Sequence, residues 1–220
     1  MRNILYITSA LIMVLAACGN TDSKEGANKT EASKEQDSKR LEGLSKAYFA
    51  SGCFWCVEAI FEEVKGVEEA VSGYAGGKEK NPTYEQVSAG LTTHAEAVMV
   101  YYNPDKVDFK TLVKVFFGSH DPTTLNQQGP DRGPQYRSIA FYSNENEERI
   151  IKEYIAQLKA ENVYNDEITT EVKKLDMFYN AEEYHQDYEK NNPNNSYVRN
   201  VSIPRLKRFE AKYPELLKDH

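Results

Sequence analysis

"KAYFASGCFWCVEAIFEEVKG", residues 46–66, changes its hydrophobic period within a few positions, and that change decides the fold. "KAYFAS" at 46–51 alternates apolar side chains as a half-buried strand does, and Gly52 interrupts it. From Cys53 onward Val57, Ile60, Phe61 and Val64 recur at helical spacing until Gly66 ends the pattern. A strand, a glycine break and a helix place Cys53 at a helix start, where free amides and the positive end of the helix dipole favour a thiolate. Cys53 is therefore expected to ionise below the ordinary thiol range.

Further elements follow the same logic. "VEEAVSGYAGG" (67–77) reads as a strand running into a glycine turn, and "THAEAVMVYYN" (93–103) as a strongly alternating strand. Phe109, Leu112, Val113, Val115, Phe116 and Phe117 make a second amphipathic helix. "YRSIAFYS" (136–143) is another strand, "ENEERIIKEYIAQLKAEN" (145–162) a third helix, and "EITTEVKKLDMFY" (167–179) a last strand. "AEEYHQDYEKN" and "IPRLKRFEAKYPELL" read as short helices. The β-α-β-β-α-β order predicts an α+β fold: a two-layer α/β sandwich of the split βαβ (ferredoxin-like) type with C-terminal additions. Residues 120–135, "HDPTTLNQQGPDRGPQ", form a Pro- and Gly-rich connection of a length that is uncommon in a compact domain unless it is functional or disordered.

The amino-terminal part has a different character. Ile4–Ala17, "ILYITSALIMVLAA", is too short for a comfortable membrane span and has the shape of a secretory signal core. It ends at "LAACG" (15–19), which resembles a bacterial lipobox, so residues 1–17 are expected to be a signal peptide and Cys18 the lipidated residue. Residues 18–46 are almost wholly polar, with Leu41 and Leu44 the only large apolar side chains, a composition that cannot offset chain entropy. They read as a tether to a folded domain at 47–220, in a lipoprotein of the bacterial envelope facing the periplasm or exterior. The net charge of −7, without a dense Lys/Arg cluster in the domain, argues against a nucleic-acid surface.

Cysteine usage is more informative. With Cys18 acylated, Cys53 and Cys56 remain, in a compartment that readily oxidises thiols. A disulfide across two intervening residues restrains the unfolded chain little, which favours a redox pair over a structural one. Half a zinc site, an inert buried pair and a thioredoxin-like exchange motif are the alternatives. Zinc lacks a second cysteine pair to complete four ligands, and the exchange motif belongs to another element order with small or proline residues between its cysteines. Here Phe54 and Trp55 intervene, two rings that can wall a pocket for a small apolar group or simply pack in the core.

"GCFWCVEAIF", "GYAGG", "NPTYEQVSAG", "HAEAVMVYYNP", "HDPTTLNQQGPDRGPQYRS" and "EYHQDY", in this order over about residues 48–200, resemble the peptide methionine sulfoxide reductase A family. The resemblance implies reduction of methionine S-sulfoxide, free or in proteins, without metal or organic cofactor. It implies Cys53 as the nucleophile and Glu96 as the acid that protonates the sulfoxide oxygen. From the residues alone, Glu96 reads equally well as an outward-facing strand carboxylate. Tyr84 and Tyr136 match the family's phenol donors, Asp131 an acid that shapes the site, and Phe54 and Trp55 the wall that receives the methyl group. His185 lies in a family motif and is expected to support the structure rather than take part in the chemistry.

Oxygen transfer leaves a sulfenic acid, which condenses with a nearby thiol. Many family members resolve it with a distal cysteine after an "NP" element, but "NPNNSYV" here ends in Val198. Cys56 is then the resolving candidate, giving a Cys53–Cys56 disulfide that a thioredoxin-like protein reduces; reduction by external thiols alone would leave Cys56 as packing. Thr93 and Gln127 depart from the family's usual glycine and arginine and bear on loop conformation and entrance charge. The expected partners are oxidised proteins or peptides, the thioredoxin-like reductant and the membrane, with the domain a monomer. Two rivals are a binding module that kept the fold and a general thiol-disulfide exchange enzyme, which gives Glu96 no role.

Overall fold

Period-two alternation makes β1 (Ser45–Ser51) a two-faced strand: Ala47 and Phe49 turn to one side, Tyr48 and Ala50 to the other. The computed structural model describes residues 39–219. The expected signal peptide, Cys18 and most of the expected tether lie outside the described residues. Residues from Gly43 on form one compact unit, separate from the unit that ends at Glu42. No helix among the described residues is long and apolar enough to cross a membrane.

The chain builds a mixed α/β fold around a curled six-stranded sheet. After β1 come α1 (Phe54–Glu62), β2 (Val67–Ala75), α2 (Tyr84–Ser88), β3 (Ala95–Tyr102) and α3 (Phe109–Gly118). A two-residue ladder, β4 (Gln127–Gln128) with β5 (Asp131–Arg132), precedes β6 (Ser138–Tyr142), α4 (Glu145–Ala160), β7 (Glu171–Lys174) and β8 (Phe178–Asn180). The carboxyl-terminal part adds α5 (Tyr188–Asn191) and α6 (Ile203–Lys212). The sheet order is β7-β6-β1-β3-β2-β8, with β3 antiparallel to both β1 and β2 and β6 antiparallel to β1.

Helices α1, α3 and α4 share one core with the Phe49, Val98 and Val100 face of the sheet. Phe49 is its centre, stacked on Phe61 and Phe116 at 5.1 Å each. Rings buried to this degree each contribute about 1.5–3 kcal/mol by removal from water. The opposite face carries small residues, Ala50, Ala75, Ala95 and Ala97, with Ile139 and Phe141. Helix α3 starts at the Asp108 cap, whose Oδ1 accepts the Thr111 amide at 2.7 Å, and α4 at the Asn144 cap.

Some elements differ from the sequence reading. The single strand expected over 167–179 is two: β7 runs parallel to β6 at one sheet edge, while β8 pairs with β2 at the other. Tyr136 lies in a 3-10 turn, Pro134–Tyr136, ahead of β6 rather than in the strand. Helix α2 is absent from the sequence reading; a Thr83/Gln86 capping box starts it. The long connection is ordered by the β4–β5 ladder, and Arg132 donates to Gln127 across it. Thr93 ties its turn through bonds from the Lys78 amide and to Glu79.

Gly52 makes the bend between β1 and α1 with φ +91°, and a Cβ there would sit 2.6 Å from Gln128 Cβ. Gly52→Ala is expected to cost about 1–3 kcal/mol of stability in thermal or urea unfolding. Gly90→Ala, also at positive φ (+69°) but with no atom within 4 Å, separates strain from overlap and is expected to lose less.

Candidate active site

Helix α1 has no side-chain cap of its own. Cys53 occupies the cap position with φ −53° and ψ 124° and makes no capping bond. The first helical amide, of Phe54, instead donates to Glu96 Oε2 at 3.1 Å. Alternation along β3 puts Glu96 on the same face as Val98 and Val100, beneath α1. It is 2% exposed, which overturns the outward-facing alternative. Burial pushes its carboxyl up to about 8, against the Phe54 amide and with help from Asp131 and Cys56, so that it is an acid at neutral pH.

Cys53 (6% exposed) and Cys56 (2%) are both free thiols. Burial, the hydrogen bond to Cys56 and the charges of Cys56 and Glu96 hold Cys53 well above the ordinary thiol range. This reverses the expectation from the helix start: the leading amide is engaged by Glu96, and desolvation outweighs the dipole. Cys56 is the thiolate-prone member, lowered to about 6 by the hydrogen bond from Cys53, which outweighs burial, with Arg205, Ser202 and Tyr197 adding.

The two rings between the thiols divide their tasks. Phe54 is fully buried beside Tyr84 (6.4 Å) and His185 (5.1 Å). Trp55 is partly buried, stacks on Tyr188 at 3.7 Å and donates from Nε1 to His185 Nδ1 at 3.1 Å. Tyr84 is pinned through its amide to Glu182 Oε1 at 2.9 Å. Burial, then Glu96 and Cys53, raise the Tyr84 phenol to about 12, and burial with Glu96 foremost among the charges raises Tyr136 too. Both phenols are therefore protonated donors. Asp131 is raised by burial and accepts the Tyr197 hydroxyl at 2.5 Å.

The structure thus brings Cys53, Cys56, Phe54, Trp55, Tyr84, Glu96, Asp131 and Tyr136 into one neighbourhood. Cys18 lies outside the described residues. Sequence reasoning missed Tyr197, whose hydroxyl stands 3.9 Å from Cys56 Sγ, and Arg205, which donates to Ser119 O at 2.8 Å and Ser51 Oγ at 3.2 Å beside the cysteine turn. Arg205 shares the buried face of α6 with Phe209, four residues on, a spacing that marks it as inward. A cavity of about 350 Å³ lies against Cys56, lined also by Asp131, Tyr197, Arg205 and Arg208. Glu58, Glu62 and Asp187 have carboxylates close enough to share a cation, but both Glu58 oxygens already accept hydrogen bonds from the protein.

The family described as Peptide methionine sulfoxide reductase matches residues 45–217. "Peptide methionine sulfoxide reductase MsrA 1" of Rhodopirellula baltica is 49% identical over 80% of this chain and 91% of its own length. The Natronomonas pharaonis MsrA is 46% identical over 77% and 95%. Among solved structures, methionine sulfoxide reductase A of Corynebacterium diphtheriae superposes with TM-score 0.62 at 36% identity, covering 69% of this chain and 76% of that one. Reduced Mxr1 of Saccharomyces cerevisiae gives TM-score 0.63 at 33% identity, covering 69% and 87%.

The two thiols are expected to alkylate with separate pH profiles. In the wild-type domain Cys56 should alkylate first as pH rises, in Cys53→Ser its profile should move upward because the hydrogen bond from Cys53 is gone, and in Cys56→Ser Cys53 should react only in the alkaline range. Arg205→Met should move the Cys56 profile upward.

Proposed function

The chain belongs to the peptide methionine sulfoxide reductase A family, an oxidoreductase that reduces methionine sulfoxide with thiols, and we propose that Cys53 is its nucleophile, Glu96 its acid and Cys56 its resolving thiol. The observation that carries this reading is a buried carboxyl, its titration raised by that burial, capping the helix on which the thiol pair sits. The exchange-enzyme rival leaves that carboxyl idle. The substrate is methionine S-sulfoxide, its methyl group against Phe54 and Trp55 and its oxygen facing Glu96, Tyr84 and Tyr136. Asp131 and Tyr197 shape the thiol side.

The proton inventory closes the cycle. Cys53 sulfur attacks the sulfoxide sulfur while its proton passes to the Cys56 thiolate, and Glu96 gives its proton to the sulfoxide oxygen. Migration of that hydroxyl to Cys53 breaks the sulfur–oxygen bond of the substrate, releasing methionine and leaving Cys53 as sulfenic acid. Cys56 returns its proton to Glu96 and attacks Cys53; the hydroxyl leaves as water with the Glu96 proton, and the Cys53–Cys56 disulfide forms. An external dithiol protein of thioredoxin type then supplies two electrons and two protons, which restores both cysteines and the Glu96 acid.

The split βαβ reading of the sheet is supported by the β6-β1-β3-β2 order with its antiparallel neighbours. The envelope location rests on the Ile4–Ala17 run and "LAACG". Repair of oxidised envelope proteins follows from a reductase tethered there through a lipid on Cys18.

Single-turnover methionine formation, measured as kcat/KM against pH, is expected to be bell-shaped, with limbs near 6 from Cys56 and near 8 from Glu96. The alkaline limb arises because Glu96 donates only while it is protonated, below its raised value. Glu96→Gln should lower the rate by about 10²–10⁴-fold. The pre-reduced wild-type domain should lose two thiols per methionine formed and Cys56→Ser one; a single lost thiol in the wild-type domain would discard Cys56 as resolver. Cys18→Ala in the full chain should abolish lipid labelling and membrane partitioning; unchanged partitioning would remove the anchor.

A further inference from the structure

Glu58 lies on the apolar stripe of α1, with Phe54, Val57 and Phe61 at helical spacing, and is only 2% exposed. A carboxyl in that position is costly unless its oxygens are satisfied. Both are. Oε2 accepts the Ser72 hydroxyl from β2, and Oε1 accepts the backbone amide of Asp187. Asp187 is held in the left-handed region, φ 51°, which a residue with a Cβ adopts at a cost. Its neighbour Gln186 is fixed to the same strand position: its Oε1 accepts the Ser72 amide at 2.9 Å and its Nε2 donates to Ser72 O at 3.1 Å.

On either side of that fixed pair stand the two partners of Trp55. His185 accepts the indole N–H, and Tyr188 stacks on the indole face. Trp55 and Glu58 are three residues apart on α1, so the 185–188 segment is fastened to the helix at two points, one of them the ring itself. We propose that Glu58 is a positioning residue whose carboxyl holds the 185–188 segment against α1 and thereby sets the orientation of Trp55 for substrate. The proposal rests on the reading of Trp55 as part of the methyl-binding wall.

The clamp is sensitive to protons. The groups facing Glu58 are Glu62 on its own helix, Ser72 on β2 and the Asp187 carboxyl, with Glu69, Lys190 and Lys218 around Glu62. Lys190 Nζ lies 3.4 Å from Asp187 Oδ1. Burial foremost pushes Glu58 up to about 8 and Glu62 to about 7, so the cluster retains a proton at neutral pH. Loss of the Glu58 proton strengthens the bonds its oxygens accept from Ser72 and the Asp187 amide, which outweigh the repulsion from Glu62 and the Asp187 carboxylate, and tightens the segment on the alkaline side.

Trp55 is the single tryptophan of the chain, so its fluorescence reports the segment directly. Glu58→Ala should shift Trp55 emission to the red, increase acrylamide quenching and raise KM for N-acetyl-methionine S-sulfoxide amide on the order of tenfold, with kcat less affected. Glu58→Gln, whose amide can accept from Asp187 and donate to Ser72, should restore emission and KM; it also covers the case in which Glu58→Ala fails to fold. Wild-type emission should change with a midpoint near pH 8, retained in Glu96→Gln and lost in Glu58→Gln. Unchanged emission and quenching in a folded Glu58→Ala, a fall in kcat at constant KM, or a midpoint lost in Glu96→Gln instead would overturn the proposal. Shifted emission with unchanged KM would leave the clamp standing and remove Trp55 from the methyl wall.

Discussion

The amide of Phe54 bonded to the carboxyl of Glu96 is the constraint on which the site depends. A helix that begins at a glycine bend and buries its first turn must find acceptors for its leading amides, and Cys53 supplies none from its side chain. β3 supplies one by turning Glu96 inward with Val98 and Val100. A carboxyl buried there is least costly as the neutral acid, so the group that completes the helix is also the one proposed to give a proton to the sulfoxide oxygen.

The same burial decides between competing effects on the thiols. A helix dipole contributes typically 0.3–1 kcal/mol in favour of an anion at an exposed end. Full burial shifts a titration by as much as roughly 3–5 units, several times more. Burial therefore raises Cys53, which is enclosed and faces Glu96, while the bond from Cys53 with Arg205, Ser202 and Tyr197 lowers Cys56. A raised Cys53 thiol is the less reactive form towards oxidants, and in the proposed cycle its attack is coupled to transfer of the Glu96 proton to the substrate.

Much of this was legible in the residues. Periodicity placed β1, α1, β2, β3, α3, β6 and α4, and the alternation of "HAEAVMVYY" put positions 96, 98 and 100 on one face, but with Ala95 and Ala97 apolar on the other it did not say which face turns to α1. Glu58 was legible from the helical spacing of 54, 57, 58 and 61. The division of residues 167–179 was not. The stretch has the composition of one long strand, and only the sheet, with free edges at β6 and at β2, draws its halves to opposite sides. Tyr197 and Arg205 were hidden because their roles arise from the carboxyl-terminal segment folding back on α1, where Lys65 donates to Leu216 O and Lys218 to Glu63 O. No local pattern encodes that return.

That return also bears on how the proposed Cys53–Cys56 disulfide would close. Val198, the last residue of "NPNNSYV", is fully buried in a π-helical turn leading into α6, and its neighbour Tyr197 extends a phenol to Asp131 and towards Cys56. Positions three apart on a helix hold their Cβ atoms about 5–6 Å apart, against about 3.5–4.5 Å across a disulfide. A pair locked in a regular first turn would have to unwind to close that gap. Cys53 is not so locked: its ψ of 124° lies outside the helix, and the residue before it is a glycine at positive φ. Rotation about the Gly52–Cys53 bend can carry Cys53 Sγ towards Cys56 while α1 keeps its ladder and Arg205 keeps its hold on Ser51 and Ser119. In the proposed cycle the strain of resolution then falls on the Gly52–Cys53 bend, and α1 keeps its place.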